Sequence, residues 1–108
     1  MTMDAVFKAL ADPTRRQLLD RLREHGGLTL TALCEEAAMS RQAVSKHLAI
    51  LEDANLVAVQ KSGREKLHYL NPVPIHDIAA RWISQYDQQH LAVLRGLKQM
   101  LENKDDAS

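Results

Sequence analysis

Four polar side chains recur on one face of a short segment near the middle of the chain. The segment is AMSRQAVSKHLAIL, residues 38–51, and the four side chains are those of Arg41, Gln42, Ser45 and Lys46. On a helix, residues three and four apart share a face, so these side chains form one stripe, which contains no acidic residue. Arginine pairs with the O6 and N7 atoms of guanine, and glutamine pairs with the N6 and N7 atoms of adenine. The stripe is therefore typical of a helix that recognises bases in the major groove of DNA.

An ordinary solvated helix surface is the alternative explanation of this stripe, and for an isolated helix it is the commoner one. The opposite face carries Val44, Leu48 and Leu51, which would attach the helix to a core whichever explanation holds. The elements on either side of the helix favour base recognition over an ordinary solvated surface.

Two consecutive helices joined by a tight turn are predicted here. Thr31 is the expected N-cap of a helix over 31–38, and Ser40 is the expected N-cap of a helix over 41–54. The free N–H groups at the start of the second helix attract phosphate, and the Ser40 hydroxyl can join them. This arrangement, over about 31–54, matches a helix-turn-helix whose second helix enters the groove.

A basic β-hairpin is predicted directly after the second helix. Apolar and polar residues alternate on both sides of the turn sequence KSGR, in which Gly63 supplies a positive φ. The hairpin, or wing, spans about 56–70 and carries the single acid Glu65 near its tip. Its cations, which we expect to contact phosphates, are Lys61, Arg64 and Lys66.

The charge of the chain is distributed unevenly although its total is zero. Lysine plus arginine numbers 14 and aspartate plus glutamate numbers 14, and most acids lie away from the stripe and the wing. A neutral protein can thus present one basic surface, whose binding to DNA would weaken as salt rises. His47 and His68 border this surface, and each would contact phosphate or stay solvated.

The remaining pattern predicts helices on both sides of this unit. A helical pattern over 74–102 follows the wing, and the polar run DQQH at 87–90 leaves open a bend or a second helix within it. The expected fold is mainly α with a small β-hairpin: a single winged helix-turn-helix domain over 1–108 with a long C-terminal dimerisation helix. A short amphipathic helix over 3–11 would turn three apolar side chains inward, those of Phe7, Leu10 and Ala11.

Composition and motifs exclude several classes of protein. A single cysteine, Cys34, rules out an internal disulfide and fits a reducing cytoplasm. No apolar run approaches the roughly 20 residues that span a bilayer, and the first residues do not resemble a signal peptide. No glycine-rich phosphate loop and no nucleophile–base spacing is present. We therefore expect a cytoplasmic protein that is not an enzyme, with no cofactor and no membrane partner.

With these elements in place, the chain resembles the arsenical-resistance (ArsR-type) family of bacterial winged helix-turn-helix repressors. The resemblance rests on FKALADPTRRQLLDRL (7–22), SRQAVSKHLAILEDANLV (40–57) and KSGREKLHYLNP (61–72). The family's usual glycine after the recognition helix is Asn55 here, which also tolerates a left-handed backbone. The resemblance implies a homodimer that binds double-stranded operator DNA and blocks transcription until an effector, unknown here, releases it.

A dimer through the terminal helices is implied by the resemblance, and the C-terminal pattern supports it separately. A helix over 74–102 would span about 40 Å, longer than a small domain needs, so a second copy would cover its apolar stripe. The two recognition helices would then lie about 34 Å apart and face an inverted repeat. The expected interface residues are Phe7, Trp82, Ile83, Tyr86, Leu94, Leu97 and Leu101, although Trp82 fits an ordinary intrachain core equally well.

Metal or thiol sensing, which the resemblance also raises, needs ligands that the chain largely lacks. One family site uses paired cysteines, but Cys34 stands alone and better suits a small buried apolar position. Another family site uses paired Asp and His ligands. Asp77 and His90 would align with it, but the other two positions are Ala79 and Val93. We expect no metal site; a repressor that responds through Cys34 or the C-terminal His and Asp residues is the alternative.

A module that binds another protein rather than DNA is a further alternative. The basic stripe argues against it, and salt distinguishes the two. Binding led by phosphate contacts weakens steeply as salt rises, whereas an apolar protein interface barely responds.

Overall fold

Helices dominate the computed structural model of the protein, which describes residues 3–83 and 88–106, with side chains over 3–81 and 91–103. The fold class is confirmed as mainly α with one antiparallel hairpin. The chain forms two compact units, the first ending at His76 and the second beginning at Asp77. In chain order the elements are α1 (Met3–Leu10), α2 (Pro13–Glu24), α3 (Leu30–Glu36), α4 (Arg41–Asp53), β1 (Val57–Ser62), β2 (Glu65–Leu70), α5 (Val73–Ile83) and α6 (Gln88–Asp106).

The core of the first unit is built largely from α2, α3, α4 and the start of the hairpin. Leu33 and Leu56 are fully buried, and α4 contributes Val44, Leu48 and Leu51 at helical spacing. Burying one such side chain stabilises the fold by about 1.5–3 kcal/mol. This apolar face, which the periodicity predicted, therefore fixes the orientation of α4 and turns its polar face outward.

The inward face of α1 differs from the prediction. Val6 and Ala9 are buried, whereas Phe7 is 39% exposed and Leu10 is only half-buried. The helix ends at Leu10, so that Ala11 is exposed and does not continue the apolar stripe. The prediction was wrong because the spacing of apolar residues does not decide which side of a short helix packs against α2 and α4.

Asp12 caps the start of α2, as its position before Pro13 suggests. Its Oδ1 accepts hydrogen bonds from the backbone N–H groups of Thr14 at 2.8 Å and Arg15 at 3.2 Å. Partial burial raises the pKa of the Asp12 carboxyl. These hydrogen bonds, together with the positive charges of Arg15 and His47, outweigh burial and hold the pKa below its ordinary value. The carboxylate therefore stays ionised and stabilises the turn between α1 and α2.

The first helix of the helix-turn-helix starts one residue earlier than predicted. α3 begins at Leu30, and its N-cap is Thr29, whose Oγ1 accepts a hydrogen bond from the Ala32 N–H at 3.1 Å. Thr31, the expected cap, instead accepts a hydrogen bond from Arg41. Thr29 takes the cap position because its backbone is extended, at φ −79° and ψ 164°, as an N-cap requires.

We expect Thr29→Ala to lower the free energy of unfolding by about 1 kcal/mol, because it removes the acceptor for an N–H group at the start of α3. The matched control is Thr31→Ala, which removes the same atoms two residues later. That change should cost less than about 0.5 kcal/mol, because Thr31 is exposed. Urea unfolding followed by circular dichroism measures both. A larger loss for Thr31→Ala would contradict the assignment of the cap.

Arg21 of α2 holds the other end of α3. Its terminal nitrogens donate hydrogen bonds to the carbonyl oxygens of Leu33 and Ala32, at 3.1 and 2.8 Å. Its Nε lies 2.9 Å from a carboxylate oxygen of Glu36. One guanidinium thus ties the first helix of the helix-turn-helix to α2, and this fixes the platform from which α4 projects.

The hairpin forms as its alternating pattern predicts. The strands β1 and β2 pair antiparallel, with Val57 opposite Leu70, and the turn places Gly63 at φ 63°. Asn55 adopts φ 61° between α4 and the hairpin, in the left-handed region that asparagine tolerates. The chain therefore leaves α4 sharply and returns beside it as the wing.

The expected helix over 74–102 corresponds to α5 and α6, and residues 84–87 between them lie outside the described residues. Among the helices that are described, none combines the length and the apolar character that crossing a membrane requires. One face of α6 is apolar and more than half exposed at five positions: Val93, Leu94, Leu97, Met100 and Leu101.

Candidate nucleic-acid interface

The outward face of α4 carries the side chains that we expected to recognise bases. The Ser40 Oγ accepts a hydrogen bond from the Ala43 N–H at 3.1 Å, which confirms Ser40 as the N-cap and fixes where the helix starts. Gln42 and Lys46, one turn apart, lie on the side of the helix opposite the core. Four side chains of the stripe are exposed, those of Arg41, Gln42, Ser45 and Lys46. The stripe is thus accessible to a macromolecule such as double-stranded DNA.

Arg41 is oriented by a contact with α3. Its guanidinium donates a hydrogen bond to Thr31 Oγ1 at 3.2 Å, and both side chains are exposed. This contact uses one of the five N–H donors of a guanidinium. The remaining donors stay available at the start of α4, and a guanidinium suits the bidentate geometry that guanine or phosphate requires.

A groove of about 410 Å³ lies between α4 and the wing. Its cations come from both elements: Arg41 from α4, and Arg64 and Lys66 from the hairpin. The acids that line it are Glu52 and Glu65. Positive side chains therefore outnumber negative ones in the groove. That balance suits the sugar–phosphate backbone beside a helix inserted in the major groove.

Two lysines face each other across the hairpin. Lys61 on β1 is directly opposite Lys66 on β2, and both are exposed. Like charges at directly opposite positions of an antiparallel pair destabilise it. A bound phosphate would relieve this repulsion.

His68 is among the residues that line this groove, but it is buried, contrary to the expectation that it contacts phosphate or stays solvated. It is 5% exposed, and its Nδ1 lies 2.8 Å from the carbonyl oxygen of Leu28. The backbones of the two residues also pair, through the His68 N–H at 2.8 Å and the Leu28 N–H at 3.3 Å. The ring therefore fastens the wing to the segment before α3. The alternating pattern of β2 did not predict this because the partner lies 40 residues away in the sequence.

His47 faces α2 as well as the flank of α4. The NH1 atom of Arg15 lies 3.3 Å from its Nδ1, and the ring is half-buried. Arg15 is separated from His47 by 32 residues, so the sequence pattern around α4 did not predict this contact. One signal was present: Arg15 lies in the first turn of α2, where a cation opposes the helix dipole and needs another reason for its presence.

The residues expected at a dimer interface are only partly described. Trp82 and Ile83 belong to α5, but their side chains lie outside the described set, and Tyr86 lies outside the described residues altogether. The other four have exposed side chains: Phe7, Leu94, Leu97 and Leu101.

The residues considered as metal ligands are not brought together where their side chains are described. Over residues 3–81 and 91–103, no group of three or more His, Cys, Asp or Glu side chains is arranged to hold a metal ion. Cys34 is half-buried rather than buried as expected, because α3 turns its neighbour Leu33 into the core. Asp77 is exposed, and the side chain of His90 lies outside the described set.

The chain is similar to known proteins over most of its length. A family model described as a helix-turn-helix domain matches residues 10–60. The uncharacterised HTH-type transcriptional regulator YuzN of Bacillus subtilis is 41% identical over 86 residues, covering 74% of this chain and 94% of that protein. The transcriptional repressor SdpR of the same organism is 33% identical over 84 residues, covering 78% of this chain and 91% of that protein. An ArsR-like transcriptional regulator from Rhodococcus sp. RHA1 has a similar structure, with a TM-score of 0.70, 30% identity and coverage of 94% of this chain and 91% of that chain.

Proposed function

Because the chain belongs to the ArsR family of winged helix-turn-helix transcriptional regulators, we propose that it is a homodimeric repressor of an inverted-repeat operator. The observation that carries the proposal is the exposed, acid-free stripe of α4 beside the groove that Arg64 and Lys66 of the wing line. Such a regulator acts in the cytoplasm, where it meets the chromosome.

Some residues of α4 would contact bases, and others would contact phosphates. Gln42 and Arg41 are the base-recognising side chains, since glutamine and arginine form bidentate pairs with adenine and guanine. Lys46 supplies charge on the same face. Ser40 and Ser45 add hydroxyl groups at the edge of the helix, where phosphate oxygens border the groove.

The wing contacts the sugar–phosphate backbone and carries little sequence information. Arg64 and Lys66 line the groove beside α4, and Lys61 stands opposite Lys66 on the hairpin. Cations in these positions would release counterions from DNA, which makes binding strongly dependent on salt.

Arg64→Ala is expected to weaken binding to all DNA sequences about equally and to reduce the slope of log affinity against log salt by about 0.9, because one phosphate contact is lost. Fluorescence anisotropy with operator and random duplexes over a salt series measures both. The matched control is Arg23→Ala, which removes an equal charge from an exposed position in the last turn of α2. A changed base preference at unchanged affinity would contradict this role for Arg64.

The second copy of the chain is proposed to pack on the apolar face of α6. That face carries Leu94, Leu97 and Leu101 at spacings of three and four, and each is more than half exposed. Exposed apolar stripes of this kind are normally covered by another surface, and closed two-fold dimers are the commonest solution. A two-fold pair of recognition helices then matches the two halves of an inverted repeat.

The residues present do not fit the cysteine-based metal sites of metal-sensing members of the family. Soft metals are captured by two or more thiolates, and Cys34 is the only cysteine of the chain. We therefore propose that release from the operator does not depend on a thiolate pair within one chain.

Selection of genomic fragments bound by the purified protein tests the proposed function. A repressor of this kind enriches fragments that share an inverted repeat, with half-site centres about one helical turn, or a multiple of it, apart. A salt titration of the enriched fragment then separates phosphate-led binding from an apolar protein interface. Recovery of no common sequence, with binding that does not respond to salt, would overturn the proposal.

A further inference from the structure

The turn that ends α4 is held by hydrogen bonds from two directions. Its N–H groups bond back to the helix, that of Asn55 to the Glu52 carbonyl oxygen and that of Leu56 to the Leu51 carbonyl oxygen, each at 2.9 Å. With Asn55 at φ 61°, this is the Schellman pattern in which many helices end. The carbonyl oxygens of Asn55 and Leu56 both accept hydrogen bonds from Asn71. A residue just beyond the wing therefore holds the end of the recognition helix.

Asn71 makes three hydrogen bonds, which join this turn to α5. Its backbone N–H donates to the carbonyl oxygen of Leu56 at 2.8 Å, and its side-chain Nδ2 donates to that of Asn55 at 2.8 Å. Its Oδ1 accepts a hydrogen bond from the N–H of Val73, the first residue of α5, at 3.2 Å. Both side-chain contacts require the same orientation of the amide, since a carbonyl oxygen needs a donor and an N–H needs an acceptor. One planar amide thus bridges the end of α4 and the start of α5.

The connection from Asn71 to α5 leaves little conformational freedom. A single residue, Pro72, separates Asn71 from Val73, and the ring of a proline fixes its φ near −65°. The Pro72 carbonyl oxygen accepts the first helical hydrogen bond, from the His76 N–H at 2.9 Å. The direction of the first turn of α5 therefore depends on the few torsions that the Asn71 side chain restrains. We call residues 55–56 and 71–73 the joint.

The joint lies on the path along the chain from the recognition helix to the proposed dimer contact. The first compact unit ends at His76, within α5, and α6 follows α5 in the chain. In a two-fold dimer, the separation and relative rotation of the two recognition helices must match the two half-sites. A loose joint would let each α4 reach one half-site but would not hold the pair at one spacing.

We propose that Asn71 is a positioning residue that fixes the direction of α5 relative to α4 and thereby selects the spacing of the two operator half-sites. The inference rests on the proposed homodimeric function and adds the residue that sets the spacing. Recognition of a single half-site does not require the joint, because the exposed stripe of α4 is the same with or without it. Only the simultaneous occupation of two half-sites does.

Two substitutions remove the bridge to α4 but keep an acceptor for the start of α5. Asn71→Asp retains an oxygen for the Val73 N–H and loses the donor to Asn55. Asn71→Ser does the same without adding a charge, because a serine hydroxyl can also accept from the N–H two residues later. We expect each variant to reduce the ratio of operator affinity to single-half-site affinity by about tenfold, because a hydrogen bond is lost in each protomer. The control Asn103→Asp adds the same charge at an exposed position of α6 and should leave this ratio unchanged.

Operators with altered spacing test the positioning role itself. One added base pair turns a half-site by about 35° around the DNA axis, so a rigid dimer binds the altered operator more weakly. The wild type should prefer the selected spacing, and both Asn71 variants should lose much of this preference. Their affinity for a single half-site should stay within about twofold of the wild type, because the contacts of α4 with bases and phosphates are retained.

A purely structural role of Asn71 would lower affinity for one and two half-sites together. Thermal unfolding and sedimentation velocity check that the variants remain folded and keep the oligomeric state of the wild type. An unchanged spacing preference in both variants, or an equal loss of affinity for one and two half-sites, would overturn the positioning role.

Residual dipolar couplings of the free protein test the joint without DNA. The couplings of backbone amides in α4 and α5 report the mean direction of each helix and the spread around it. One alignment should describe both helices in the wild type, whereas Asn71→Asp should reduce the couplings of α5. Separate alignments in the wild type, or unchanged couplings in Asn71→Asp, would overturn the fixed joint. If the wild type prefers no operator, the proposed function and the spacing role fail together, whereas this experiment still decides whether Asn71 holds α5.

Discussion

Gln42→Ala and Arg41→Ala are each expected to reduce discrimination between operator and random DNA by about 5- to 150-fold, the range that one bidentate base contact provides. Both side chains are exposed, so the fold should be unaffected. Affinity for the selected operator and for a scrambled duplex, measured at one salt concentration, provides the ratio.

A matched control for Gln42 is Gln17→Ala, which removes another exposed glutamine, from α2, and should leave the ratio unchanged. For Arg41, the control is Thr31→Ala, which keeps the guanidinium but removes the hydroxyl that orients it at 3.2 Å. An intermediate loss of discrimination would show that this orientation contributes to base recognition. Unchanged discrimination in both Gln42→Ala and Arg41→Ala would remove these residues as base readers.

Leu97→Glu is expected to convert the proposed dimer into a monomer at micromolar concentration and to lower operator affinity by about 10²- to 10⁴-fold. The reason is that a charge in the middle of the α6 stripe must be desolvated in the interface, which is costly without a partner. The loss of affinity follows because a monomer engages one half-site and loses the advantage of linked binding. Sedimentation velocity and operator titration measure the two effects.

The control for Leu97→Glu is Gln99→Glu, which adds the same charge to an exposed polar position of the same helix. It should leave both the oligomeric state and the affinity close to those of the wild type. A monomeric wild type, or a Leu97→Glu variant that remains dimeric, would contradict the proposed interface. If a wild-type monomer bound the operator with full affinity, DNA recognition would not require dimerisation.

The recognition helix and the wing could be predicted from the sequence because neighbouring residues encode them. Ser40 caps α4 through a hydroxyl that reaches an amide three residues later, and the apolar residues of α4 recur at three and four. Gly63 and Asn55 take the positive φ values that the chain reversals need. Each of these signals acts over about four residues or fewer, so the order of residues alone contains it.

The sequence did not predict which of two nearby residues caps a helix, or which face of a short helix is buried. Thr29 and Thr31 are both acceptable caps, and the packing of α3 against α4 and β2, together with the hydrogen bonds from Arg21 of α2, decided between them. The inward face of α1 was decided in the same way, because Val6 and Ala9 lie on the side that meets α2 and α4. Such choices depend on the surrounding core, which local spacing does not contain.

By itself, the sequence determined that a polar, acid-free stripe lies on a helix with an apolar reverse face, beside a basic hairpin. Only the tertiary structure decided that the buried His68 bonds the wing to Leu28 and that His47 contacts Arg15. The partners in these pairs are 40 and 32 residues apart. A side chain's hydrogen-bond partner is set by whatever the folded chain places beside it. Periodicity and capping describe only the neighbours along the chain.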